Sequence, residues 1–124
     1  MKEYSLKGIK TNDLNILPDE RGFFAEAFRQ DWMDFLEGES VIQANLSDSY
    51  PNVIRAWHRH ERGQTDYFLV LRVAMKICAY EEETGRMVEI LASDKRHVLV
   101  KIPGKYLHGT RTVSDEASLT VYFV

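Results

Sequence analysis

The run Tyr67-Phe68-Leu69-Val70-Leu71-Arg72-Val73-Ala74-Met75-Lys76-Ile77-Cys78-Ala79-Tyr80 decides the class of fold. It is dense in β-branched and aromatic side chains, which suit a pleated, half-buried surface. It is also too long for one average strand, so it is predicted to bend or divide near Arg72 or Val73. Working outward, Val53–His58, Met87–Ala92, His97–Ile102 and Ala117–Val124 have the same character. Between them lie the turn-forming clusters Ser47–Asn52, Glu81–Gly85 and Ser93–Lys95. A strand and turn about every ten residues is the pattern of an all-β sandwich, barrel or jelly roll. One segment departs from it. Asp31-Trp32-Met33-Asp34-Phe35-Leu36, with an N-cap-type Asp31 and a stop at Gly38, predicts a helix of one or two turns.

At 124 residues the chain has room for a single domain spanning 1–124. Its 44% hydrophobic and 28% charged residues are globular proportions, and no repeat or low-complexity tract interrupts them. A net charge of −3 argues against nucleic acid as a partner. No apolar run approaches the roughly 20 residues needed to span a bilayer, so no membrane role is expected. The opening Met1-Lys2-Glu3-Tyr4-Ser5-Leu6-Lys7 alternates charge and lacks the apolar centre of a signal peptide, which makes a cytoplasmic location the expectation. Cys78 is the only cysteine and, between Ile77 and Ala79, reads as core.

Two groups of residues carry possible chemistry. His58 and His60 lie two apart at the end of a predicted strand and so project on one face. With His108 from a distant segment and Gln64 nearby, they could hold a divalent transition metal, since neutral imidazole suits such ions. His97 sits among exposed charges and is given no role. Arg21, Arg55 and Arg59 could together clamp a diphosphate, because guanidinium presents paired planar donors to such oxygens. Gln43 and Asn45, also two apart, could read the polar edge of a base or sugar, or simply face solvent from an edge strand.

Taken in order, four blocks resemble the dTDP-4-dehydrorhamnose 3,5-epimerase family of cupin jelly rolls. Asp19-x-Arg21-Gly22-x-Phe24-x-Glu26-x-Phe28 is close to D-x-R-G-x-F-x-E-x-F, and Gln43-x-Asn45-x-Ser47 to Q-x-N-x-S. Val53-Ile54-Arg55-Ala56-Trp57-His58 is similar to V-L-R-G-L-H, and Ile102-Pro103-Gly104-Lys105-Tyr106-Leu107-His108-Gly109-Thr110 to I-P-x-G-F-A-H-G-F. The resemblance implies a cupin-type double-stranded β-helix with one short helix. It also implies a nucleotide-diphosphate 4-keto-6-deoxysugar as substrate, with epimerisation by proton abstraction beside the ketone and no cofactor. On this reading His58 is the base, and Arg55 and His108 lie near the developing enolate. Arg21, Glu26, Gln43, Asn45 and Arg59 hold the nucleotide and diphosphate. A homodimer is implied as well, through pairing of N-terminal strands.

The chain also departs from the family. Where the resemblance implies an enolate-stabilising lysine, Gln64-Thr65-Asp66-Tyr67 offers Asp66. The general-acid tyrosine falls on Val121 in an ungapped match, and Tyr122 serves only if the preceding loop absorbs one residue, because a one-residue slip reverses the face. The sequence ends at Val124, short of the aspartate that orients the family's histidine, and Asp66 is the candidate substitute. Finally, His58-Arg59-His60 with Gln64 is similar to the first motif of metal-binding cupins, which keeps open an alternative: a metal-dependent enzyme using His58, His60, Gln64 and His108. A further alternative is a sugar-nucleotide-binding protein without catalysis.

Overall fold

A computed structural model describes all residues from Met1 to Val124. Twelve strands and one helix follow in the order β1 (Lys2–Glu3), β2 (Lys10–Asp13), β3 (Leu17–Asp19), β4 (Gly22–Phe24), α1 (Met33–Leu36), β5 (Ala44–Ser49), β6 (Ile54–His58), β7 (Asp66–Arg72), β8 (Ala74–Glu81), β9 (Arg86–Ser93), β10 (Val98–Ile102), β11 (Leu107–Thr112) and β12 (Ser118–Phe123). An antiparallel sheet in the order β1-β2-β10-β7-β12-β5 faces a second sheet ordered β6-β11-β8-β9, while β3 and β4 form a separate hairpin. This is the jelly roll expected. The long apolar run divides at Val73, and its halves enter different sheets.

Period-2 alternation explains the layers. Phe68 and Val70 of β7, with Val98, Val100 and Ile102 of β10, meet Met75, Ile77 and Ala79 of β8 and Val88, Ile90 and Ala92 of β9 in one core cluster. The intervening Tyr67, Leu69 and Leu99 face the other way and pack on Phe35 and Leu36 of α1. Strands β7 and β10 are therefore covered on both faces, which is why they read as continuous apolar runs. The outer face of the second sheet is open, with Met87 and Leu91 of β9 exposed.

Several local expectations need correction. Ser47–Ser49 are not turn but the end of β5, held against Ser118–Thr120 of β12. Asp31 does not cap the helix: Trp32 occupies the N-cap without a side-chain bond, and the Asp31 carboxylate is taken by Arg29. At the other end, Lys101 Nζ reaches the Phe35 and Leu36 carbonyls at 3.0 and 3.4 Å and the Glu37 carboxylate at 2.6 Å. Alternation turns Lys101 toward the helix, and there it satisfies orphan carbonyls that a one-turn helix cannot pair. Cys78 is not core: it lies half-buried on the outer face of β8, opposite Glu89. Burial, then the Glu89 charge, pushes its thiol above the ordinary range. No helix is long and apolar enough to cross a membrane.

Candidate active site

The two sheets part at one end to leave a cavity of about 450 Å³. Its wall on one side is β6 and β11. His58 and His108 are direct cross-strand partners, and one residue further the register shifts, so that Thr110 faces Arg55. That bulge sets Arg55 and Ala56 both toward the cavity, and bulges commonly re-aim side chains in this way at functional sites. It requires Gly109, since a Cβ there would stand 2.5 Å from the Ala56 Cβ. The opposite wall is the six-stranded sheet, contributing Ser47, Asp66, Phe68, Thr120 and Tyr122.

Tyr122 therefore takes the cavity face of β12, its ring 5.9 Å from Phe68. The pairing of β12 with β7 slips between Leu119 and Thr120. The extra residue of that slip is Leu71 of β7, while β12 itself runs in unbroken register along β5, so plain alternation puts Thr120 and Tyr122 on the cavity face and leaves Val121 off it.

At the centre is Asp66, whose side chain is 5% exposed. Its Oδ2 accepts from His60 Nε2 at 3.0 Å and lies 3.1 Å from His108 Nε2. Its Oδ1 accepts from Gln64 Nε2 at 3.1 Å. Burial pushes this carboxyl up, but the hydrogen bonds from His108, Gln64 and His60 outweigh it and hold the group below the ordinary carboxylate range. His108 is nearly as buried, and its Nδ1 has no partner. His58 lines the same cavity with its ring 5.9 Å from that of His108, but it is exposed and has no carboxylate neighbour.

Three expectations change here. Asp66 orients His60 and His108 rather than His58. Gln64 turns its amide to Asp66 instead of offering an oxygen to a metal. The donor atoms that converge within 4.8 Å of one another belong to His60, Asp66 and His108, not to the set His58, His60, Gln64 and His108.

The predicted diphosphate clamp is not assembled within one chain. Arg55 stands at the cavity, bonded through Nε to Ser49 Oγ at 2.8 Å and through Nη2 to the Asp48 carbonyl at 3.1 Å. Arg21 lies on the exposed β3–β4 hairpin, paired with Asp19 at 2.8 Å. Arg59 points away to Glu82, as its odd position between His58 and His60 requires. Glu26 is exposed and paired with Arg29 at 3.1 Å. Gln43 donates to Asn45 at 2.8 Å on the exposed edge of the six-stranded sheet. Sequence reasoning gave no role to Phe68, Met75 or Thr120, whose inward alternation marked them only as core.

Comparison with known proteins agrees with this architecture. A profile of the dTDP-4-dehydrorhamnose 3,5-epimerase family matches residues 3–124. The chain is 29% identical over 124 residues to the probable low-salt glycan biosynthesis epimerase Agl13 of Haloferax volcanii, covering 96% of this chain and 78% of that protein. It is 31% identical over 112 residues to the dTDP-4-dehydrorhamnose 3,5-epimerase of Escherichia coli, covering 82% and 60% respectively. Among solved structures, the dTDP-6-deoxy-D-glucose-3,5-epimerase of Legionella pneumophila in complex with dTDP-4-keto-L-rhamnose superposes with a TM-score of 0.85. At 23% identity it covers 97% of this chain and 68% of that one, and it supports the fold.

Proposed function

The chain belongs to the dTDP-4-dehydrorhamnose 3,5-epimerase family, and from that premise we propose that it epimerises a nucleotide-diphosphate 4-keto-6-deoxysugar by proton transfer beside the ketone. The observation that carries the reading is the placement of His58 and Tyr122 on facing sheets of one cavity. Inversion at a carbon needs a base on one face of the sugar ring and an acid on the other. A ring seated between β6 and β12 meets an imidazole on one side and a phenol on the other.

The steps balance without a redox partner. His58 takes the proton from C3 or C5, and the electron pair of that C–H bond moves to the C4 oxygen as an enolate. Tyr122 donates its proton to the opposite face of the same carbon while the ketone re-forms. Exchange with water then returns a proton to Tyr122 and removes one from His58. Charge that develops on the C4 oxygen only in the transition state calls for a positive or hydrogen-bond-donating group beside it. Arg55, fixed by Ser49 and Asp48 at the rim, is placed for a diphosphate oxygen.

The reading includes a homodimer. Supporting it are the unpaired outer edge of β1 and the hairpin residues Leu17, Phe23 and Phe24, each more than half exposed. Docked on a second copy, this hairpin would carry Arg21, with Glu26 just beyond its end, toward the neighbour's cavity and account for their absence from the wall of their own. A sedimentation profile showing monomer at all concentrations would contradict the dimer.

Catalysis is tested by solvent deuterium incorporation into dTDP-4-keto-6-deoxyglucose. The protein should incorporate deuterium at C3 or C5, and His58→Gln should slow this by about 100-fold or more. Tight nucleotide-sugar binding with no incorporation by the wild type would overturn catalysis and leave a binding protein.

A further inference from the structure

The geometry points to a binding site for one first-row divalent transition-metal ion formed by His60, Asp66 and His108, the ion providing the positive charge next to the enolate oxygen. The placement of the three side chains defines the site, and only the ion's role rests on the epimerase reading.

Three donor atoms arrive from three segments: the stretch after β6, the first residue of β7, and β11. Asp66 Oδ2 lies 3.0 Å from His60 Nε2 and 3.1 Å from His108 Nε2, and the three atoms fall within 4.8 Å of one another. An ion bound at about 2.1 Å to neighbouring ligands at right angles places those ligands about 3 Å apart. Both imidazole nitrogens thus stand at that spacing from Asp66 Oδ2. Two imidazoles and one carboxylate so arranged, with the remaining positions open, suit Fe(II), Mn(II), Co(II) or Ni(II), and imidazole disfavours Mg(II) and Ca(II).

Second, the carboxylate is held for the task. Gln64 occupies Oδ1, which leaves Oδ2 directed at the two histidines, and such outer contacts orient ligands around metals. Third, the carboxylate has no permanently cationic side chain beside it. Asp66 is a buried anion whose side-chain partners are two histidines and an amide, with no lysine or arginine in contact. Buried charge is tolerated when paired or when it ligates a metal. A carboxylate alone at this place would repel the enolate that the reaction forms, whereas a divalent ion bound there reverses the sign. Fourth, the trio lines the cavity, so the open positions face the substrate.

His58 stands outside the trio, its ring 5.9 Å from that of His108, and remains free to act as base. The orphan Nδ1 of His108 bears on affinity. With Nε2 on a metal, Nδ1 carries the proton and finds no acceptor. Missing outer partners of this kind weaken binding by about 10–100-fold, so micromolar rather than nanomolar affinity is expected.

The experiment uses the full chain stripped with a chelator and titrated with CoCl₂ and with NiCl₂ by calorimetry. One ion per chain should bind with a micromolar Kd, and cobalt should give the weak absorption bands of a six-coordinate ion. Asp66→Asn and His60→Gln should each lose about 100-fold in affinity, and His58→Gln less than about threefold. Because Asp66→Asn could disturb folding, the cobalt spectrum of the wild type provides an independent reading. No stoichiometric binding by the wild type below about 1 mM, or undiminished binding by folded Asp66→Asn, would overturn the site. Deuterium exchange run on stripped and loaded protein separates the two readings. Equal exchange in both removes the ion's role and keeps the epimerase. Binding with no exchange in either keeps the site and removes the epimerase.

Discussion

Gly104→Ala is a perturbation whose effect can be worked out from backbone geometry. Gly104 precedes β11 and is not forced to be glycine by a positive φ; space alone demands it. A Cβ there would stand 2.2 Å from the Gln64 carbonyl oxygen and 2.9 Å from the Gly63 carbonyl carbon. Ordinary contact begins at 3.4 Å, so the Gln64 carbonyl must retreat by about 1 Å, and backbone cannot rotate away as a side chain can. The Gly104 carbonyl also accepts the His60 amide at 3.2 Å, so one peptide anchors both ends of the segment bearing His60 and Asp66. Overpacking of this kind costs about 1–3 kcal/mol. A displacement of about 1 Å in the groups that position a reaction costs about 100-fold in rate. The assay is the initial rate of deuterium incorporation, with the denaturant midpoint measured on the same sample. Gly38→Ala is the control, because its φ of +84° strains alanine by about 1 kcal/mol while nothing lies within 4 Å of the added carbon. It should lose stability and keep its exchange rate. A Gly104→Ala protein with wild-type exchange and midpoint would refute the reasoning.

Two further predictions concern the buried cation under α1. Lys101→Met should cost about 3 kcal/mol, since it leaves two helix carbonyls without their donor, and should lower the thermal midpoint by roughly 10 °C; an unchanged midpoint would count against that assignment. The Lys101 ammonium, then the Lys10 ammonium, hold the Glu37 carboxyl below its ordinary value of 4.5, burial opposing them. A depressed carboxyl contributes stability that is complete above its unfolded value and is lost as pH falls through the folded one. Glu37→Gln should therefore be less stable than wild type at neutral pH, with a gap that shrinks as pH falls below 4.5 toward the folded value, as read by urea midpoints. A gap that stays constant as the pH is lowered through the acid range would show that the Lys101–Glu37 contact is not the source.

Much of the fold is legible in local pattern. The division of residues 67–80 at Val73 follows from strand length, and the strands ending at His58, Ser93 and Ile102 follow from β-rich runs between turns. Strands β2, β3 and β11 left weaker marks. Their sequences Lys-Thr-Asn-Asp, Leu-Pro-Asp and Leu-His-Gly-Thr-Arg-Thr are polar or broken, and they are strands because a neighbour pairs with them. In the site, His58 and His60 both line the cavity as their spacing predicts, although β6 ends at His58, and the importance of Asp66 showed as a departure from a motif. Its attachment to His60 and His108 did not, because nothing local relates residue 66 to residue 108.

The amino-acid sequence by itself determines which side chains alternate together, where the chain turns, and which family's blocks it carries in order. These depend on contacts between near neighbours and on residue identity. Only the tertiary structure decides which face of each strand looks into the cavity. The pairing of β12 between β5 and β7 sets Tyr122 on the cavity face, and a bulge opposite Gly109 turns Arg55 inward. Only the tertiary structure shows that Arg21 and Arg59 are engaged by Asp19 and Glu82, and that Asp66 is gripped by two histidines. The reason is common to all of these. Bulges, ion pairs and buried clusters are fixed by pairing between segments far apart in the chain, and local pattern carries no record of which segments those are.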